Sequence, residues 1–450
     1  MAKKESVYFE VVVKPMGDGN SVFNVGAFPS VETIDRYRAD KERSIATATK
    51  LRGLGVTVTH IGEFSLSASC PADRFEELFS TKLSSIKPPD KANMPKDYRM
   101  RAPAKNAPWK LPKREGLDKL IDRAYVQHAP VFFAAERSLP PMLTDKFRLR
   151  VPVDVAQLMN AATVHRRGIT GQGVKVVMAD SGFYHHPYFK AQGYNFLSIT
   201  APDAVDHTSD ANGHGTGECA NLFATAPGIN FIGLKMGNMT LAIKTATELK
   251  PDVMTNSWGH SVDRTGTSMP NWLKPLHLAV LDAVAQGITV CFSAGNGHFG
   301  FPGSMPEVIS VGGVYVSETL GYQASNYASG FESAWFPGRQ VPDICGLVGQ
   351  QPGADYIVLP VQTGAALEQA EGWGTFSGTS AASPMVAGVC ALLKEVDGSL
   401  TPGDIKNILK FTARDVTKGK CSHGLKARAG VDGATGFGLV DAGRAVESLL

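Results

Sequence analysis

The chain has 450 residues, more than one hydrophobic core usually serves, so two folding units and a connector are expected. Charged residues make up 19% and the formal net charge is only +3, which leaves no basic footprint for a nucleic acid. No apolar run reaches the length of a membrane span, which argues against a membrane partner.

The first residues, MAKKESVYFEVVVK, alternate polar and apolar like a strand from about residue 6 to 14. They lack the apolar core and small-residue cleavage site of a signal peptide, so a cytoplasmic location is expected. Residues 40 to 54 carry helical spacing that ends at Gly55, and 56–61 and 64–69 read as strands. A short helix over 71–79 and a strand over 82–86 complete a β-α-β-β-α-β order. That is a ferredoxin-like α+β domain, residues 1–86, and from element order alone it is a generic binding domain, because this superfold hosts many functions. Residues 87–150 turn rich in proline and basic residues without apolar periodicity. They read as a linker, with one helix over 116–126 and backbone accessible to cutting. The six cysteines are scattered, mostly within apolar segments, and form no CxxC pair; reduced, buried thiols and no metal site are expected.

At Val151 the pattern changes to VPVDVAQLMNAATVHRRGITGQGVKVVMADSGF: a short helix, a turn at 170–173, and a continuous apolar strand over 174–179 that ends at Asp180. Such a strand suits a parallel sheet covered on both faces, and Asp180 stands at its carboxyl end, where α/β sheets place chemistry. His214 opens a helix in NGHGTGECANLFA, while DVMTNSWGHS reads as a strand followed by a glycine-bearing loop. GITVCFS is another buried strand, running into AGNG with Asn296. In GTFSGTSAASPMVAGVCALL, Ser380 precedes a wholly apolar helix over 385–393, and Pro384 is expected in its first turn.

Taken singly, each residue has a plain reading. Asp180 closes a strand, His214 is packed or surface, Trp258 is core, Asn-Gly is a turn, and Ser380 is an N-cap. Taken together they supply a weak nucleophile, an imidazole to take its proton, and a carboxylate to orient the imidazole.

GTSAASPMVAG, HGT, ADSG, SWG and AGNG with FGFPGSMPEVISVGG resemble, in their order along the chain, the motifs of the subtilisin-like serine proteases (subtilases, peptidase family S8). The likeness covers residues 151–450. It implies an α/β catalytic domain with a subtilisin-like parallel sheet covered by helices on both faces. Its triad would be Asp180, His214 and Ser380, with Asn296 in the oxyanion hole and Ser257, Trp258 and Gly259 lining the substrate channel. It implies a protein or peptide substrate and no cofactor. Residues 1–86 are similar to subtilase propeptides, and LRGLGVTVTHIGEFSLSASCPADRFEELFSTKL is closer to those of the related sedolisins. The implied partner is therefore the chain's own N-terminal domain, acting as inhibitor and folding helper of a zymogen.

Two departures stand out. Gly217 occupies a place where many subtilases carry a second histidine, and Glu218 follows His214 by one helical turn on the same face. Sedolisins carry an acidic pair at that spacing, and RQVPDICG (339–346) also resembles them, but His214 and Asn296 keep this chain with the subtilases. Glu218 is either a modulator of His214 or a solvent-facing helix residue. The acidic loop Asp203, Asp206 and Asp210 fits no defined calcium spacing, and solvation is expected there, with structural calcium left open. The function expected is a serine endopeptidase. The alternatives are a peptide ligase or macrocyclase on the same fold, whose acyl-enzyme an amine captures, and a peptide-binding scaffold without activity.

Overall fold

A computed structural model of the chain describes residues 6–15, 21–24, 26, 28–86, 100–103, 116–127, 147–262, 268–366 and 372–450. Its contacts divide into two compact units. The first draws on residues up to Pro130 together with Gly237–Thr245 and Met269–Ala285, the second on the remainder.

In the first unit the alternation of SVYFEVVV builds strand Ser6–Val13, the centre of an antiparallel sheet in the order Thr57–Ile61, Ser65–Pro71, Ser6–Val13, Ile121–Val126. Val7, Phe9, Val11 and Val13 enter one core with Leu51 of helix Lys41–Gly53 and Phe75 of helix Ala72–Leu78. Phe9 meets Phe75 and Phe79 edge to face at 4.9 and 5.5 Å. The helix at 41 starts where Asp40 accepts the Arg43 N–H at 2.6 Å. On the alternate positions stands Glu10, 1% exposed. It accepts from Ser65 Oγ at 2.8 Å, Ser67 Oγ at 2.5 Å, and Lys244 Nζ of helix Met239–Glu248 at 2.7 Å. Lys244 also donates to the Ser65 carbonyl at 3.0 Å.

Two expectations for this region are corrected. Strand Leu83–Ile86 forms, but it pairs with Met100–Pro103 in a separate two-stranded sheet. The fourth place in the main sheet goes to Ile121–Val126, where a helix was expected. Only Leu117–Leu120 is helical. A free edge beside Ser6–Val13 offers unpaired N–H and C=O groups, and pairing with it outweighs the local preference of residues 121–126. The linker reading therefore fails over 116–127, where Leu117, Ile121, Ala124, Tyr125 and Val126 are buried. The stretches 87–99, 104–115 and 128–146, and with them most of the expected cutting window, lie outside the described residues.

The second unit is built on a mainly parallel sheet. Strands Phe196–Thr200, Asn230–Lys235, Lys175–Asp180, Val253–Asn256, Thr289–Ser293 and Ile309–Val316 run side by side, with Tyr322–Ala324 antiparallel at the edge. Their apolar runs are buried, as a covered parallel sheet requires. Helix Thr379–Val396 packs on four of the unit's strands and against helix His214–Thr225. At Gly388 a Cβ would collide with Thr225, whose hydroxyl donates to the Met385 carbonyl at 3.0 Å, so the two helices meet at backbone distance. The expected fold is found: a mainly parallel subtilisin-like sheet and an N-terminal antiparallel α+β sheet. All six cysteines are buried and free of disulfides, and no described helix is long and apolar enough to cross a membrane.

Candidate active site

Asp180 ends its strand with no exposure, and its Oδ1 accepts from His214 Nδ1 at 2.8 Å and from the Ser181 N–H at 2.7 Å. His214 is the first residue of its helix, after Gly213 at φ +87°. The join between strand end and helix start is made by Asp210 and Ser181. Asp210 Oδ1 accepts from Ser181 Oγ at 2.8 Å and Gly213 N–H at 3.0 Å, and Oδ2 from Thr216 N–H at 2.9 Å and Oγ1 at 2.7 Å. Ser181 Oγ in turn accepts the Gly215 N–H at 3.0 Å. Asp210 is thus not a solvated loop carboxylate. It is fully buried, and both its oxygens are occupied by protein donors rather than turned toward a calcium ion. Among the described residues no three His, Cys, Asp or Glu side chains gather as a metal set. The available signal was an acidic residue four before the histidine, on the approach to a helix start.

Helix Thr379–Val396 begins five residues before Pro384, which corrects the first-turn placement of that proline. The start is set by Gly378, at φ +115°, where a Cβ would stand 2.9 Å from Asn296 Nδ2. Pro384 has no N–H to give the carbonyl one turn back, that of Ser380. Ser257 Oγ donates to that carbonyl instead, at 2.8 Å, and the Ser380 hydroxyl rests on the Ser257 carbonyl at 3.3 Å. Asn296 Oδ1 accepts from Thr379 N–H at 2.9 Å and Oγ1 at 3.0 Å. That fixes the amide's orientation, with Nδ2 on the side of the Gly378 turn. The Ser380 N–H, in the first helical turn, has no acceptor within its helix.

The structure thus joins Asp180 to His214, and Asn296 and Ser257 to the turn that carries Ser380. The Trp258 ring belongs to the core: its Nε1–H donates to the Ala179 carbonyl at 2.8 Å and it meets Phe292 edge to face at 5.1 Å. A Cβ at Gly259 would lie 2.7 Å from the Phe301 carbonyl oxygen, so no side chain fits there.

Glu218 does not face solvent; it is 1% exposed, because every residue of helix His214–Thr225 is buried. Its Oε2 accepts from Asn221 Nδ2 at 2.9 Å, and Oε1 is buried without a hydrogen-bonding partner. Gly217 is explained by Phe376, whose ring occupies the space a side chain would take. Burial pushes the Glu218 carboxyl up to about 8, against the attraction of His214 and the Asn221 bond. For His214 burial favours the neutral ring. The Asp180 charge and hydrogen bond, helped by Glu218 and Asp210, outweigh it and raise the imidazole.

These shifts fix two signs. An ionised Glu218 favours the imidazolium, so Glu218→Gln is expected to move the acid limb of kcat/KM to lower pH; superimposable profiles would show the carboxyl neutral through that limb. A carboxyl raised from 4.5 to about 8 on folding contributes stability that is full below 4.5 and lost as pH rises through 8. The thermal midpoint of Glu218→Gln relative to the wild type is therefore expected to climb between those values, and a flat difference would contradict the burial argument.

A mainly parallel sheet bearing an Asp–His pair, and a serine at a helix start fronted by an asparagine, is the architecture of a serine hydrolase. The chain belongs to the subtilase family of subtilisin-like serine proteases, whose sequence profile matches residues 171–438. It is 30% identical over 347 residues to the serine protease AprX of Bacillus subtilis (strain 168), covering 66% of this chain and 76% of that protein. It is 27% identical over 275 residues to subtilisin Savinase of Lederbergia lenta, covering 58% and 91%. Among solved structures, Pseudomonas sedolisin (serine-carboxyl proteinase), complexed with two molecules of pseudo-iodotyrostatin, matches the fold. The TM-score is 0.55 at 19% identity, over 68% of this chain and 99% of that one.

Proposed function

We propose that the chain is an endopeptidase that cleaves peptide bonds through an acyl-enzyme on Ser380, made as a zymogen that its N-terminal sheet restrains. The observation that carries the chemistry is the buried 2.8 Å bond between His214 Nδ1 and Asp180. It commits the Nδ1 proton to the carboxylate and leaves Nε2 as the basic nitrogen. In the reaction the Ser380 hydroxyl leaves the Ser257 carbonyl, passes its proton to Nε2, and bonds the scissile carbonyl carbon. The Ser380 N–H and Asn296 Nδ2 receive the oxyanion. The imidazolium then protonates the departing amine, and water repeats the sequence on the ester.

Labelling with a fluorophosphonate tests this directly, and the adduct is expected on the peptide bearing Ser380. An unlabelled, inactive chain would favour a peptide-binding scaffold. Aminolysed products dominating when amines are added would favour a ligase. Asn296→Ala is expected to lower kcat with little change in KM, because its amide binds charge present only in the transition state. The loss should be about 2.7–4 kcal/mol, the range measured for removal of the oxyanion-hole asparagine in subtilisin. A normal kcat would place the oxyanion elsewhere.

A further inference from the structure

The loop that carries Asn296 leaves the end of strand Thr289–Ser293 with Gly295 at φ +115° and Gly297 at φ +89°, left-handed backbone on either side of the asparagine. Three successive N–H groups of this loop end on side chains. That of Gly295 reaches Thr379 Oγ1 at 3.1 Å, that of Asn296 reaches His298 Nδ1 at 3.3 Å, and that of Gly297 reaches Ser329 Oγ at 3.0 Å. Ser329, fully buried and from a distant segment, also closes the loop from the other side. Its N–H donates to the Gly295 carbonyl at 2.8 Å and its hydroxyl to the His298 carbonyl at 2.6 Å. Burial, then the nearby His423, holds His298 down at about 4, so Nδ1 keeps the lone pair that accepts the Asn296 N–H.

We propose that Ser329 and His298 are positioning residues that hold Asn296 ready for the transition-state oxyanion. This rests on the reading of Asn296 as an oxyanion donor. A donor stabilises charge without reorganisation only if it is fixed before reaction, and a displacement of about 1 Å can cost roughly 10²-fold in rate. Thr379 grips the amide end of Asn296, but its backbone is held by His298 and, through the neighbouring glycines, by Ser329.

The test is the kcat and KM of Ser329→Ala, His298→Leu, His298→Asn, Asn296→Ala and the double variant Ser329→Ala/Asn296→Ala. Ser329→Ala and His298→Leu are each expected to lower kcat roughly 10- to 100-fold with KM little changed. His298→Asn should restore most of the rate, because its Oδ1 stands near the place of Nδ1. Ser329→Ala should add little once Asn296 is gone. A normal kcat in both Ser329→Ala and His298→Leu, beside a slow Asn296→Ala, would overturn the proposal. So would a full additional loss in the double variant, since the two residues would then act on something other than Asn296. A normal kcat in Asn296→Ala would instead overturn the oxyanion reading, and the proposal with it.

Discussion

Ser380→Ala is expected to abolish hydrolysis, with kcat falling roughly 10⁶-fold, the loss measured when subtilisin loses its nucleophile. His214→Ala should do the same, and the double variant should be hardly worse than either. Nucleophile and base act as a unit, so removing the second member of a broken unit removes nothing further. The fold should survive the serine change. Ser380 Oγ makes one hydrogen bond, to the Ser257 carbonyl at 3.3 Å, worth about 0.5–1.5 kcal/mol, while the helix it starts is buried through Leu393. Steady-state rates on a chromogenic peptide, with thermal midpoints alongside, decide the matter. A Ser380→Ala protein retaining a tenth of the wild-type rate would end the assignment.

Lys244→Met is expected to loosen the N-terminal sheet from helix Met239–Glu248. Glu10 is buried with two serine hydroxyls and one ammonium for partners, and removing the ammonium leaves a buried carboxylate with two neutral donors and no counter-charge. Breaking a buried pair from one side costs about 3–5 kcal/mol, roughly 10²- to 4 × 10³-fold in the equilibrium. Replacing both charges, as Glu10→Leu/Lys244→Met, strands neither and should recover most of that loss. Full-length Lys244→Met should melt at a lower temperature than the wild type, lose protection of strand Ser6–Val13 from added protease, and recover both in the double variant. Identical midpoints and identical protection in wild type and Lys244→Met would show that the pair contributes nothing to the stability of this unit.

The parts of the site that were legible in the sequence are those fixed by their immediate neighbours. An apolar run that stops at Asp180 and a glycine before His214 each specify a strand end or a helix start without help from elsewhere. What was not legible depends on residues far along the chain. Ile121–Val126 becomes a strand because Ser6–Val13 has an edge to fill, more than a hundred residues away. A polar residue on a helix normally faces water, yet Glu218 and Asn221 are buried, because their whole helix is enclosed. Asp210 reads as one more loop acid until Ser181 and Thr216 are seen to claim its oxygens. Pro384 misled for a related reason. The helix start is fixed by Gly378 against Asn296, and the hydrogen bond that proline forfeits is made good by Ser257.

That substitution of partners ties two pieces of chain by reciprocal linkage. Ser257 and Ser380 each hold the other's carbonyl, so neither backbone can shift without disturbing the neighbour's hydroxyl. If a peptide N–H takes the Ser257 carbonyl in place of the Ser380 hydroxyl, that hydroxyl is released from its resting acceptor. Thermodynamic symmetry requires the converse: a group bonded to Ser380 Oγ abolishes its donation to Ser257, and must change the affinity for peptide there by the same free energy. Occupancy of the Ser257 carbonyl and the orientation of the Ser380 hydroxyl would then be a single coupled equilibrium, created where a proline sits inside a helix.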